Sequence, residues 1–136
     1  MESLSPYVSF NGKCREAMNF YQSIFGGDLE LNEVEGSPME QYWPDGKGQL
    51  FHSALTLNGK LLVMGSDMTG PSGQTIGNNI QLAIGASSEE EIHRLANALA
   101  EGGQVLAPVA DTFWNALFGS VQDKFGINWM LNYDKR

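Results

Sequence analysis

The hydrophobic pattern of this chain changes period several times, and each change marks an element. Tyr7 to Phe10 is a short β-prone run that stops at Asn11-Gly12, a strong turn signal. From Cys14 to Phe25, apolar residues fall at Cys14, Ala17, Met18, Tyr21, Ile24 and Phe25, which is one helical face. Gly26-Gly27 reads as the helix exit. Leu29, Leu31 and Val34 sit near period two and predict a strand. Gly36 to Gly48 is a polar, turn-rich loop with Pro38, Pro44 and Asp45-Gly46. Phe51 to Leu57 predicts a strand, Asn58-Gly59 a tight hairpin turn, and Lys60 to Gly65 the partner strand. Ser66 to Asn78, with Gly70-Pro71 and Gly73, reads as a second loop.

The pattern then restarts. Asn79 to Ile84 alternates, with Ile80, Leu82 and Ile84 on one face and Asn79, Gln81 and Ala83 on the other. Ser87-Ser88-Glu89-Glu90 predicts a capping box in which Ser87 accepts from the amide of Glu90. A helix follows from about Ser88 to Ala100, burying Ile92, Leu95, Ala96 and Leu99, and Gly102-Gly103 ends it. Gln104 to Val109, Asn115 to Val121 and Ile127 to Tyr133 read as strands, with Asp123 to Gly126 as the last turn. When Glu16 is laid over Glu91, Phe20 falls on Leu95 and Ile24 on Leu99; one added residue brings Gly26-Gly27 over Gly102-Gly103. Strand-helix-strand-strand-strand thus occurs twice, about 75 residues apart.

A doubly wound sheet needs a helix after nearly every strand. Here three strands with short links follow each helix, so each module is largely antiparallel. The predicted fold is α+β: two βαβββ modules forming a concave, mostly antiparallel sheet with the helices on its outer face. Residues 1–136 are read as a single domain, with module one at about 5–68 and module two at about 78–134. The face without helices is left to wall a small-molecule cleft.

Composition narrows the partners. The formal net charge is −8 and no Lys/Arg cluster occurs, which argues against nucleic acid and against an anionic membrane surface. Cys14 is the only cysteine, so no intrachain disulfide can form, consistent with a reducing compartment. Met1 to Pro6 lacks the features of a signal peptide, and no apolar run approaches the roughly 20 residues of a spanning helix. A cytoplasmic location is expected.

Phe10-Asn11-Gly12-Lys13-Cys14-Arg15-Glu16-Ala17, followed by Phe20-Tyr21, resembles the opening of PhnB-like proteins. Thr112-Phe113-Trp114, Phe118-Gly119 and Asp123-Lys124-Phe125-Gly126-Ile127-Asn128-Trp129 resemble their closing signature. The resemblance spans nearly the whole chain. It implies the vicinal oxygen chelate superfamily, which includes glyoxalase I, extradiol dioxygenases, fosfomycin-resistance enzymes and bleomycin-resistance proteins. It also implies paired βαβββ modules and a homodimer. PhnB-like proteins are often labelled ubiquinone-related methyltransferases. This chain has no strand followed by a G-x-G-type turn and helix to hold S-adenosylmethionine.

The resemblance also implies where a divalent metal would sit, with His, Gln or Glu on the first and last strand of each module. The matching positions here hold Tyr7 or Ser9, the Leu62-Val63-Met64 stretch, Asn79 and Met130. None is a strong ligand for a hard or borderline metal, so no metal or other cofactor is expected. Other candidates come from strand phase and composition. His52 is a base or donor candidate at the start of its strand, Asn128 and Met130 fall opposite Trp129, and Trp114 and Phe118 are aromatic walls. Cys14 is read as a small core residue and His93 as surface. The ligand-site candidates are therefore Tyr7, Ser9, His52, Met64, Asn79, Gln81, Trp114, Phe118, Asn128 and Met130. The leading reading is a small-molecule-binding protein without the usual metal. The alternatives are a metal-dependent lyase, isomerase or transferase using a non-standard site near His52, and a catalytically silent dimer.

Overall fold

The structure, a computed structural model, describes residues 1–136, and its elements follow the repeat. Two compact units result, Met1–Thr75 and Ile76–Arg136. In the first, β1 (Tyr7–Ser9) leads to helix α1 (Cys14–Phe25), then β2 (Asp28–Glu33), β3 (Leu50–Leu57) and β4 (Lys60–Ser66). The sheet order is β1-β4-β3-β2. Only the β1–β4 pair is parallel; β3 is antiparallel to both β2 and β4. So β1 and β2 run the same way with two strands between them, and α1 crosses one face of the sheet to join them. The helix buries Cys14, Ala17, Met18, Tyr21 and Ile24. A Cys14 Sγ–Ser53 Oγ contact of 3.2 Å shows which face α1 covers. Ser53, Leu55 and Val63 lie under it, and His52, Ala54 and Met64 belong to the opposite face.

The second unit repeats this order with β5 (Gln81–Gly85), α2 (Glu89–Ala100), β6 (Gln104–Asp111), β7 (Ala116–Gln122) and β8 (Asn128–Asp134). Its sheet is ordered β5-β8-β7-β6, with β5 parallel to β8. The mostly antiparallel expectation holds, and each module builds its own four-stranded sheet. The edge strand β6 pairs with β7 through two register shifts, between Val105 and Ala107 and between Ala107 and Ala110. No helix is long and apolar enough to cross a membrane.

The two glycine pairs do the same job in each unit. A Cβ on Gly27 would collide with the carbonyl oxygen of Thr56 and lie 3.3 Å from Leu57 Cα. A Cβ on Gly103 would collide with the carbonyl oxygen of Gln122 and lie 2.8 Å from Asp123 C. In both units the chain leaving the helix passes against the backbone at one end of its sheet, and only glycine fits.

Several expected boundaries move. Ser88, not Ser87, is the helix cap, accepting from the amide of Glu91 at 3.0 Å. Ser87 donates from its amide and its hydroxyl to the Glu91 carboxylate at 2.8 and 3.0 Å. The cap lies one residue later than expected because the helix starts at Glu89, and Glu91 reaches back to Ser87, the residue before the cap, rather than closing a reciprocal box on Ser88. The Ser87 amide, first, and its hydroxyl hold the Glu91 carboxyl below the usual range. Asn79 and Ile80 fall outside β5, and Ile80 is exposed. The partner strand supplies the reason: β8 begins at Asn128, and the Ile127 amide is turned back to Asp123. Asn115 is not part of β7 but sits at φ 62° in the turn before it. Val34 lies just past β2, buried, and the segment after it is a run of linked turns around a 3₁₀ turn at Pro38–Gln41.

Candidate functional site

The first sheet's uncovered face is built by register. Tyr7 pairs with Met64, Met64 with Ala54, and Ala54 with Glu30. One row along, Ser9 pairs with Ser66, and His52 pairs with Asn32. Tyr7 Oη and His52 Nδ1 lie 3.1 Å apart in a hydrogen bond, with their rings stacked at 5.7 Å and 28°. Tyr7 is half-exposed, and His52 is partly buried. Ser9 Oγ donates to the Met68 carbonyl at 2.6 Å, while its own carbonyl accepts from Gln74 Nε2. The face thus gathers the candidates Tyr7, Ser9, His52 and Met64.

Asn32 was not singled out by the sequence. It stands directly across from His52, and its Oδ1 is buried with no hydrogen-bond partner. The alternation of Leu29 and Leu31 already places Asp28, Glu30 and Asn32 on the uncovered face. The register that sets Asn32 opposite His52 runs unbroken from the Asp28–Thr56 pair and ends at a bulge before Glu33–Leu50, where Phe51 is the extra residue. Bulges often sit beside functional positions because they re-aim a side chain.

In the second unit the matching face carries Gln81 beside Asn128, Ala83 beside Met130, and Phe118 beside Asn132. Trp114, in the turn before β7, donates from Nε1 to Asn132 Oδ1 at 3.4 Å and meets Phe118 edge-on at 6.2 Å. Gln81, Asn128, Met130 and Phe118 therefore share a face, with Phe118 and Trp114 at the Asn132 end of β8 and Gln81 at the Asn128 end, and Asn79 stands outside the sheet. Trp129 and Leu131 take the opposite phase and are buried, as β8 alternation requires.

Two carboxylates that the sequence did not mark hold these faces in place. Asp67, 5% exposed, accepts from the amides of Gly12 and Cys14 at 2.8 Å through Oδ1, and from the Leu50 amide at 2.9 Å through Oδ2. It ties the start of α1 to the start of β3. Asp123 accepts from the amides of Phe125 and Ile127 through Oδ1 and from Trp129 Nε1 at 2.8 Å through Oδ2. It shapes the turn that launches β8.

These contacts also decide what the helix starts can bind. A free helix N-terminus is a site for phosphate or carboxylate. Here the α1 amide of Cys14 is held by Asp67, and the α2 start by Ser88 with Glu91 bridging Ser87. Both starts are already engaged by the chain's own oxygens.

The residues present do not fit the superfamily's metal. Tyr7 faces Met64, Ala83 faces Met130, and no three His, Cys, Asp or Glu side chains gather into a metal-holding group. Cys14 belongs to the core. It is fully buried, and burial pushes its thiol up to about 11 from an ordinary 9.0. A native chain at pH 8 is expected to leave Cys14 unreacted with a chromogenic disulfide, while urea-unfolded chain reacts at one thiol; rapid native labelling would refute this. The linkage sign follows. The unfolded thiol ionises near 9.0 and the native one near 11, so the native state holds the extra proton between them. This contribution to stability is complete below pH 9 and is lost as pH rises through about 11.

The sequence model of a family described as 3-demethylubiquinone-9 3-methyltransferase matches residues 2–132. Protein PA1353 from Pseudomonas aeruginosa has a solved structure similar to this chain. The two are 38% identical, with 97% of this chain and 98% of that one covered and a TM-score of 0.84. The putative 3-demethylubiquinone-9 3-methyltransferase, PhnB protein, from Bacillus cereus is 28% identical, with 97% and 99% covered and a TM-score of 0.73. A glyoxalase/bleomycin resistance protein/dioxygenase family enzyme from Burkholderia phytofirmans PsJN shares the fold at a TM-score of 0.62 and 14% identity, with 96% and 94% covered.

Proposed function

The chain belongs to the family described as 3-demethylubiquinone-9 3-methyltransferase, the PhnB-like proteins of the vicinal oxygen chelate superfamily, and from that premise we propose that it is a small-molecule-binding protein that works without the superfamily's metal. The observation that carries this reading is the chemistry of the uncovered faces. The inherited ligand positions present a phenol, a hydroxyl, thioethers and the Asn79 amide, which stands outside the sheet, and thioethers are poor ligands for hard or borderline divalent ions. What remains is polar groups that orient a ligand and soft apolar groups that pack on it, the usual make-up of a small-molecule site.

The methyltransferase in the family description finds no support in these residues. A doubly wound methyltransferase places its cofactor where a glycine-rich strand end meets a helix start. Here each sheet carries one helix, and both helix starts are engaged by the chain's own oxygens.

Chain purified without an affinity tag is expected to carry far less than one divalent ion per molecule. A thermal-shift screen over aromatic antibiotics, thiol adducts and metals is expected to raise Tm with an organic compound rather than a metal. A compound at 100 times its Kd stabilises by about 2.7 kcal/mol. One stoichiometric divalent ion, lost together with activity in His52→Ala, would overturn the metal-free reading in favour of a lyase, isomerase or transferase. A cytoplasmic homodimer is part of the same reading, and sedimentation of the purified chain as a monomer would remove it.

A further inference from the structure

The tripeptide Asn-Gly-Lys occurs twice in the first unit, at Asn11-Gly12-Lys13 and at Asn58-Gly59-Lys60, and no other asparagine in the chain precedes glycine. An asparagine before glycine is open to attack by its own backbone, because glycine has no side chain to crowd the peptide nitrogen. The two copies share their conformation. Asn11 sits at φ 48° and Asn58 at φ 51°, followed by Gly12 at 95° and Gly59 at 80°. All four residues are exposed.

The copies differ at the glycine nitrogen. Gly12 donates its amide proton to Asp67 Oδ1 at 2.8 Å. Asn58 and Gly59 are the two turn residues between the paired Leu57 and Lys60, and neither the Gly59 amide nor the Asn58 side chain makes a hydrogen bond. A Cβ on Gly59 would meet nothing within 4 Å, so water reaches the turn freely.

The amide proton must leave before the nitrogen can attack. At Gly12 that proton lies in a charge-assisted bond that has to break first. The nitrogen anion left behind would also face the Asp67 carboxylate, and a like charge opposes its formation. At Gly59 neither obstacle exists.

We propose that Asn58 is a site of spontaneous deamidation, and that Asp67 protects Asn11 from the same reaction. Hydroxide removes the Gly59 amide proton, and the nitrogen's electron pair forms a bond to Asn58 Cγ. The Cγ–Nδ2 bond breaks, and Nδ2 takes a proton from water and leaves as ammonia, which regenerates hydroxide. Water then opens the cyclic imide. Breaking the new bond at Cγ gives aspartate at residue 58, and breaking the original peptide bond gives isoaspartate. One water is consumed and one ammonia released. Either product adds a negative charge to a chain already at −8. Isoaspartate also lengthens the main chain inside a two-residue turn, the connection that sets the β3–β4 register.

The full chain is aged in mildly alkaline buffer, native and in urea, and peptide mapping by mass spectrometry follows the amide-to-acid exchange at residues 11 and 58. In the native chain residue 58 is expected to convert at least about ten-fold faster than residue 11, since a hydrogen bond to a charged group must be given up at Gly12. In urea the two identical tripeptides should convert at similar rates. A smaller native gap, a gap that survives urea, or a residue 58 that stays intact while the unfolded chain converts would overturn the proposal. Asn58→Gly keeps a turn that accepts positive φ and removes the reacting amide, so most of the acidic species formed on native ageing should vanish from ion exchange. Their formation at the parental rate would refute the site. Asp67→Asn takes the charge away from the Gly12 amide, so conversion at residue 11 should rise while residue 58 keeps its parental rate. An unchanged residue 11 in the folded variant would refute the protection. If that variant unfolds, the parent's native and urea rates decide.

Discussion

Asp67→Ala is expected to destabilise the first unit by about 3–5 kcal/mol, among the largest effects a single substitution has on a small domain. The carboxylate receives the amides of Gly12, Cys14 and Leu50, and the Cys14 and Leu50 bonds are buried. Alanine leaves all three donors unmet, and each unmet buried donor costs about 1–3 kcal/mol, less where water can reach it. Asp67→Asn keeps one carbonyl oxygen and should lose less. Urea unfolding at unchanged m-value measures both. A loss below about 1 kcal/mol in Asp67→Ala would mean that the clamp does not hold the unit together.

Gly103→Ala should be nearly as damaging, at about 3 kcal/mol or more. The added methyl meets the Gln122 carbonyl oxygen and lies 2.8 Å from Asp123 C and 3.0 Å from Asp123 Cα. These are backbone atoms at the end of β7 and cannot rotate away. Gly102→Ala is the internal control. Its φ is +77° but its methyl meets only the Lys124 side chain, nearest at 3.1 Å, which can swing aside. It should cost about 1–2 kcal/mol, the ordinary penalty of a left-handed residue. Thermal denaturation compares the two, and equal losses would show that the backbone clash is not what demands glycine at residue 103.

The contrast between these sites explains what the sequence could tell. Gly103 was legible because it marks a helix exit and recurs at the equivalent place as Gly27, so local punctuation and the repeat agreed. The helices were legible for a similar reason: Cys14, Ala17, Met18 and Tyr21 declare one face through spacing alone. Asp67 was not legible. Its partners lie 17 to 55 residues away, and nothing local distinguishes it from a turn aspartate. Asn32 escaped for another reason. Its phase was readable, but its partner is set by the β2–β3 register, and the connection between Glu33 and Leu50 is too long for a tight turn to fix that register locally. Asn79 was misplaced because alternation continued past the point where β8 could pair with it. Strand ends are set by the partner strand as much as by their own residues. Tyr7, Ser9, His52 and Met64 share one face of the first sheet, Tyr7 paired with Met64 and Ser9 one row along.

The irregular strand β6 bears on how the protein behaves when crowded. Its eight residues, Gln104–Asp111, lie at the edge of a sheet and expose Val105 and Leu106. A flat apolar edge of that length is a template for a neighbouring chain to add a strand and begin an amyloid-like stack. Here Pro108 withholds a backbone N–H near the middle of the edge, and the two register shifts break its regular spacing. A foreign strand arriving at β6 finds no long, evenly spaced row of donors and acceptors, so this irregularity makes an exposed apolar edge a poor template for strand addition.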